Sequence, residues 1–443
     1  EITSLGSILI YNVIANENGA SGILLDTCVL DGGVCTGNGN VTLNTYFSQQ
    51  NTLDGNNDYG LYVTSSGSVN LNYVSASENG DTGIFVDNPL SNGTVTIRNA
   101  IRGSNGTYSY NGGDGISIAT LGSVNLYNVD ASSNAGNGLT IDNCQFSGGE
   151  CVGLGKVLIK SLYSQFNTFS TNHDYGIYIL SGGSVYLMDI KANQNGYNGL
   201  YVNNQLELAI QPVTLNASKG NTNTFNYNGA LTQGSYPGLE IHTYGNIYLR
   251  ALEANNNYAA GAYLYNKDAT ISEPYIRIND GTFNENQGSG LLAYTKGKVM
   301  LYGVTASYNS LINSDIVLDG ETVYERLTSI STYDTWWFEI TGSTTITDFT
   351  IILESLEFDA YLELYDANGN LLANDDNTFS EFDAEIAISL TELGKYYIRV
   401  MAADGNHGNY TLSINDEAHN YGTGFLFYGA LIDASTGSGS VFI

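Results

Sequence analysis

Gly67-Ser68-Val69-Asn70-Leu71-Asn72-Tyr73-Val74 returns as Gly122-Ser123-Val124-Asn125-Leu126-Tyr127-Asn128-Val129 and as Gly183-Ser184-Val185-Tyr186-Leu187-Met188-Asp189-Ile190. An earlier copy, Gly6-Ser7-Ile8-Leu9-Ile10-Tyr11-Asn12-Val13, precedes them, and Gly245 and Gly297 open weaker ones. The copies stand 52 to 62 residues apart. Self-similarity at a fixed period belongs to solenoids, whose units bury their apolar faces only by stacking on neighbours.

Each long unit divides into two turns of chain. One turn leads from Gly67 to Asn79-Gly80-Asp81-Thr82-Gly83-Ile84-Phe85-Val86. The other leads from Gly93-Thr94-Val95-Thr96-Ile97 to Asn111-Gly112-Gly113-Asp114-Gly115-Ile116-Ser117-Ile118. Both alternate apolar and polar residues in short runs between Gly and Asn turns, which is strand patterning, and no stretch carries a helical apolar period. A turn of about 28 residues suits a three-sided parallel coil. Asn18, Asn79, Asn134, Asn195 and Asn257 each lie four residues before a glycine: Gly22, Gly83, Gly138, Gly199 and Gly261. Stacked coils would set equivalent side chains about 4.8 Å apart, so these amides can hydrogen-bond up the stack as a ladder. Asn and Gly also tolerate the left-handed backbone of a sharp corner.

This coil pattern resembles the right-handed parallel β-helix proteins of the pectate-lyase-like superfamily. The resemblance covers residues 1–309 and 420–443 and implies an all-β solenoid of about eleven coils.

Between them, at residues 310–419, the patterning changes. Both tryptophans, Trp336 and Trp337, fall here, and the strands lengthen. Phe358-Asp359-Ala360-Tyr361-Leu362-Glu363-Leu364-Tyr365-Asp366-Ala367-Asn368-Gly369, Gly394-Lys395-Tyr396-Tyr397-Ile398-Arg399-Val400 and Gly408-Asn409-Tyr410-Thr411-Leu412-Ser413-Ile414 resemble the bacterial pre-peptidase C-terminal domain, a small β-sandwich of secreted proteins. Asn420-Tyr421-Gly422-Thr423-Gly424 then repeats a coil corner, so the sandwich is expected as an insertion in one coil.

Composition narrows the partners. The chain has 52 Gly, 34 Tyr and only 4 Pro, and its 14 Lys and Arg oppose 44 Asp and Glu for a formal charge of -30. That balance makes nucleic acid and anionic lipid poor partners, because phosphate recognition requires a cationic surface, and favours metal cations or a basic partner. No run reaches the ~20 apolar residues of a membrane span. Cys28 and Cys35 share the spacing of Cys144 and Cys151 and occupy the same place in two repeats. Two loop disulfides, Cys28–Cys35 and Cys144–Cys151, are expected, and with them a secreted, extracellular protein.

Chemistry-bearing residues are sparse. The polygalacturonase-type hydrolases of this fold carry Asn-Thr-Asp, Asp-Asp, Gly-His-Gly and Arg-Ile-Lys segments. The coils have none, which reads against an enzyme. His173 beside Asp174 matches Asn57-Asp58 of an earlier coil and reads as a corner pair. Asp359, Asp366, Asp375, Asp376 and Asp383 are candidate calcium ligands, being hard oxygen donors close in sequence. Asn40, Asn92, Asn105, Asn216 and Asn409 open Asn-x-Ser/Thr sequons and are candidate glycan acceptors. Tyrosines recur at strand positions (Tyr62, Tyr178, Tyr186, Tyr201, Tyr248, Tyr263, Tyr265, Tyr302), as an aromatic ladder or as a surface on which sugars stack.

The terminal strands read as halves of one kind of coil. An open β-helix end is a template for strand addition. Ile2, Ile8 and Ile10 are expected to pair with Val441, Phe442 and Ile443 of a second copy, head to tail. The expectation is therefore a structural protein that self-associates into an extracellular filament, sheath or surface layer, with a polysaccharide-binding surface adhesin as its first rival and a polysaccharide lyase or hydrolase as its second.

Overall fold

The computed structural model describes residues 1–28, 30–31, 34–35, 37–46, 49–88, 91–99, 104–144, 146–147, 150–151, 153–205, 210–232, 236–269, 271–307, 309, 323–326, 333–340, 347–376, 383–391, 394–403, 405–415, 430–433 and 441–442. The chain divides into two compact units. The first comprises Glu1–Asn284, Gly290–Ala306 and Ala430–Ile443, and the second comprises Glu285–Ser289 and Ser307–Gly429.

The first unit is a parallel β-helix with three walls. Each coil gives a strand to the first wall, turns, gives one to the second, and bends again into a short strand of the third, as in Leu61–Thr64, Val69–Asn72 and Val74–Ser75. The first wall is a twelve-stranded parallel sheet that starts at Ile2–Thr3 and Ile23–Asp26 and ends at Leu291–Tyr294 and Ala430–Asp433. The second wall runs from Ile8–Tyr11 to Val441–Phe442, which pairs with Lys298–Thr305. Strands alternate because odd positions face inward: Leu61, Val63, Ile84, Val86, Leu139 and Ile141 are fully buried. One apolar core continues from Ile8 to Leu301.

The third wall explains why the sequence repeats every two coils and not every one. Its inward position holds Leu53, Ala76, Tyr108, Ala131, Phe169, Ala192, Phe225, Ala254 and Phe283, all fully buried, in successive coils. Backbone bonds fix the succession: Ala131 N–H donates to Thr168 O, Phe169 N–H to Lys191 O and Ala192 N–H to Thr224 O. A large side chain in one coil therefore lies beside alanine in the next. Two rings in successive coils would overfill the interior, and two alanines would leave a void.

The second unit contains two four-stranded antiparallel sheets. One has the order Val323–Arg326, Asn409–Asn415, Thr347–Ser355, Ala384–Leu390. The other has the order Tyr333–Ile340, Gly394–Ala402, Ala360–Tyr365, Leu371–Asp375. Between them lies a separate core that includes Trp336, Phe338, Phe349, Leu362 and Ile398. Trp336 Nε1 donates to Tyr410 Oη (3.0 Å), whose hydroxyl donates to Asp334 Oδ2 (2.8 Å). The segments 310–322 and 416–429, where the expected domain boundaries fall, lie outside the described residues.

Candidate functional site

The corner before the first wall sets its outward face. There Asn18, Asn56, Asn79, Asn111, Asn134, Asn172, Asn195, Asn228 and Asn257 form an amide ladder. In each step a backbone N–H and a side-chain Nδ2 donate to the next Oδ1 at 2.7 to 3.2 Å. The five sequence-expected asparagines are alternate rungs of this longer ladder. The left-handed backbone expected of Asn and Gly sits one residue earlier, at Glu17, Glu78, Ser133, Gln194 and Asn256, with φ of 55 to 59°. The glycine is required by space instead: a Cβ on Gly138 would stand 2.6 Å from both Ala131 O and Asn172 Nδ2.

With the corner fixed, the even strand positions of the first wall point outward in rows. One row reads Tyr62, Phe85, Ser117, Thr140, Tyr178, Tyr201, Glu240, Tyr263 across adjacent strands. The neighbouring row reads Thr64, Asp87, Ala119, Asp142, Leu180, Asn203, His242, Tyr265, Tyr294. Tyr62 stacks on Phe85 (5.1 Å) and Tyr178 on Tyr201 (5.1 Å, 10° between planes). Corner tyrosines turn across these stacks: Tyr59 meets Tyr62 edge-on (71°), and Tyr175 meets Tyr178, Tyr197 and Tyr236 edge-on. Between the two aromatic patches lie the small side chains of Ser117, Ala119 and Thr140. All of the rings are half-buried.

Acidic groups are set among the rings. His242 Nε2 lies 2.6 Å from Glu240 Oε1, and Asn198 Nδ2 donates to Glu240 Oε2 (3.1 Å). Asp114 Oδ1 accepts from Asn137 N (2.7 Å) and its Oδ2 accepts from Thr140 Oγ1 (2.6 Å). Burial holds the Asp87, Asp114 and Asp142 carboxyls above their ordinary range, since desolvation penalises the charged form. Burial also raises the phenols of Tyr175, Tyr178, Tyr201 and Tyr263, and pushes Tyr265, which donates to Asp268, up to about 12. These hydroxyls therefore remain donors at neutral pH.

The other candidates separate. Cys28 and Cys35 are disulfide-bonded, with Cα atoms 4.9 Å apart. Cys144 is also disulfide-bonded, while the side chain of Cys151, its expected partner, lies outside the described residues. The five aspartates of the sandwich are not brought into one calcium site. Among the described residues no three His, Cys, Asp or Glu side chains converge. Asp366 is engaged by its own turn, accepting from Asn368 N, Asn370 N and Asn370 Nδ2 at 2.8 to 2.9 Å. Asp375 Oδ2 accepts from Glu385 N (2.9 Å). His173 Nδ1 lies 2.9 Å from Asp174 Oδ1 on an exposed corner. Among the sequons, Asn40, Asn92 and Asn409 are exposed, but Asn105 and Asn216 are part-buried. Asn409 Nδ2 is engaged by Glu357 Oε1 (2.6 Å) and Asn105 Nδ2 by Phe166 O (2.8 Å). Ile2 is exposed and Ile8 buried; the side chains of Val441 and Phe442, and all of Ile443, lie outside the described residues. No helix among the described residues is long and apolar enough to cross a membrane.

No protein-family profile and no curated protein sequence matches the chain. Solved structures do. The pre-peptidase C-terminal domain of a Bacillus anthracis collagenase is 23% identical, over 23% of this chain and 93% of its own, with a TM-score of 0.19. The A-module of the mannuronan C-5 epimerase of Azotobacter vinelandii is 13% identical, over 70% of this chain and 78% of its own, with a TM-score of 0.33. A tailspike protein of an Acinetobacter baumannii bacteriophage, a capsular polysaccharide depolymerase, is 10% identical, over 86% of this chain and 80% of its own, with a TM-score of 0.20. The chain is a parallel β-helix whose second unit holds two four-stranded antiparallel sheets. The expectation of no enzyme, drawn from missing hydrolase segments, is corrected by these neighbours, two of which are enzymes by name. The likeness is one of fold, so it assigns no reaction to this chain.

Proposed function

We propose that the first wall of the coil binds polysaccharide, as the recognition surface of a secreted glycan-binding or glycan-processing protein. One observation carries this: two patches of half-buried rings, around Tyr62 and Phe85 and around Tyr178 and Tyr201, stand either side of a saddle of small polar side chains on one register row. Rings held by their neighbours lose little entropy on binding, and their phenols add hydrogen bonds to sugar hydroxyls. The Cys28–Cys35 disulfide supports an oxidising, extracellular setting.

Calorimetric titration with a panel of soluble polysaccharides tests the reading. Tyr201→Ala is expected to weaken the bound glycan about tenfold or more. Tyr248→Ala, on the second wall, is expected to leave affinity unchanged. Equal affinities for the two variants would overturn the assignment. Size-exclusion analysis of the bound glycan after incubation then separates binding from processing, because only an enzyme shortens or alters the chain. The end-to-end filament expected from the terminal strands stays outside this proposal, since its C-terminal contact residues have no described side chains.

A further inference from the structure

This inference rests on the glycan-binding reading and deepens it by naming the sugar. Cations are segregated among the walls of the coil. The strands of the first wall contain neither lysine nor arginine. Strands of the other two walls contain Arg98, Lys160, Lys191, Arg250, Arg277 and Lys298. Carboxylates, by contrast, sit among the rings of the first wall. Asp87 and Asp142 flank Ala119 in the outward row beside the aromatics, two strand steps or about 10 Å apart. Glu240 stands in the ring row between Tyr201 and Tyr263. Asp87, Asp114 and Asp142 have no cationic partner among the described residues.

Part-buried carboxylates without a counter-charge are costly, and aromatic faces attract cations. An ammonium group satisfies both, whereas a uronate would be repelled. We infer that the first wall selects a glycan of amino sugars with free amines, such as a glucosamine polymer, over N-acetylated or uronic acid chains. Amines repeated along such a chain can meet Asp87 and Asp142 in turn while the sugar rings rest against the tyrosines.

Isothermal titration of the full chain with three hexamers tests this: glucosamine, N-acetylglucosamine and a hexauronate. Wild-type protein is expected to bind the glucosamine hexamer about tenfold or more tightly than its acetylated form, and the hexauronate not at all. The double variant Asp87→Asn with Asp142→Asn should lose that preference and keep its affinity for the acetylated hexamer, with an unchanged circular dichroism spectrum as the folding control. If the acetylated hexamer or the hexauronate binds as tightly as glucosamine, and Tyr201→Ala weakens it, the inference fails while the glycan reading stands. If none of the three binds, and no polysaccharide does, both fail. A hexalysine peptide that binds more tightly than the glucosamine hexamer would also overturn the sugar assignment, in favour of a basic peptide.

Discussion

Asn134 carries more of this fold than its small side chain suggests. Its Oδ1 accepts from Asn111 N and Asn111 Nδ2, both at 3.0 Å, in a buried corner. Asn134→Ala removes that acceptor and leaves the Asn111 backbone N–H unpaired. A buried unsatisfied donor costs about 1–3 kcal/mol, and loss of the second bond adds to it, so the variant should lose about 2–4 kcal/mol. Chemical denaturation followed by far-ultraviolet circular dichroism measures this, and an unchanged midpoint would mean the ladder is dispensable. The asparagines were legible in the sequence because they recur before a glycine. The reason for the glycine was not. Spacing alone cannot separate a residue chosen for its φ from one chosen because a Cβ at Gly138 would collide with Ala131 O. Only the stacked coil brings those atoms together.

Along the strands, the alternation of ring and alanine on the third wall predicts a compensating pair. Phe169→Ala should open a cavity and cost about 3–5 kcal/mol. Ala192→Phe should overfill the next coil and cost about 1–3 kcal/mol or more. Joined in one chain, the first change removes one of the two rings, Phe169 and Phe225, that the second would crowd, so the double variant should be more stable than the sum of the single losses yet less stable than wild type, by a margin that a double-mutant cycle reads directly. Additivity would mean that the two positions do not share space. The coil strands were legible because buried and exposed residues alternate in them. Tyr178, Tyr201 and Tyr263 stood out for the same reason. Glu240 and His242 did not. Their strand, Leu239–Thr243, reads in isolation as an ordinary rung, and the outward pair acquires meaning only when register sets Glu240 between Tyr201 and Tyr263. The aspartates of the sandwich show the converse: close in sequence, they engage separate partners, Asp366 in its own turn and Asp375 at Glu385 N.

The two units have separate cores, and both tryptophans belong to the sandwich. Tryptophan fluorescence therefore follows the sandwich alone, while calorimetry records both, and two transitions are expected. Acid should move them differently. In the coil, Asp87, Asp114, Asp130 and Asp142 are raised by burial. Between the ordinary carboxylate range, about pH 4, and neutrality, the native coil thus binds more protons than the unfolded chain. Stability then falls as pH rises, so mild acidification stabilises the coil. Glu273, lowered by its exposed pairing with Lys298, opposes this, but a surface pair is weak against four part-buried acids. In the sandwich, Asp366 is lowered by the hydrogen bonds of its turn, and its contribution is lost only as pH falls below the ordinary range. Scans from pH 7 towards pH 4 should raise the coil transition while the fluorescence-detected one stays level, and then drops below about pH 4. The formal charge of -30 reinforces the first shift, since protonation relieves self-repulsion. Asp114→Asn and Asp142→Asn should flatten the coil's response, because they install the uncharged form at every pH. A coil transition that falls on mild acidification would mean that these carboxylates are stabilised by partners and are not penalised by burial. The carboxylate surface on which the amino-sugar inference depends would then already be neutralised.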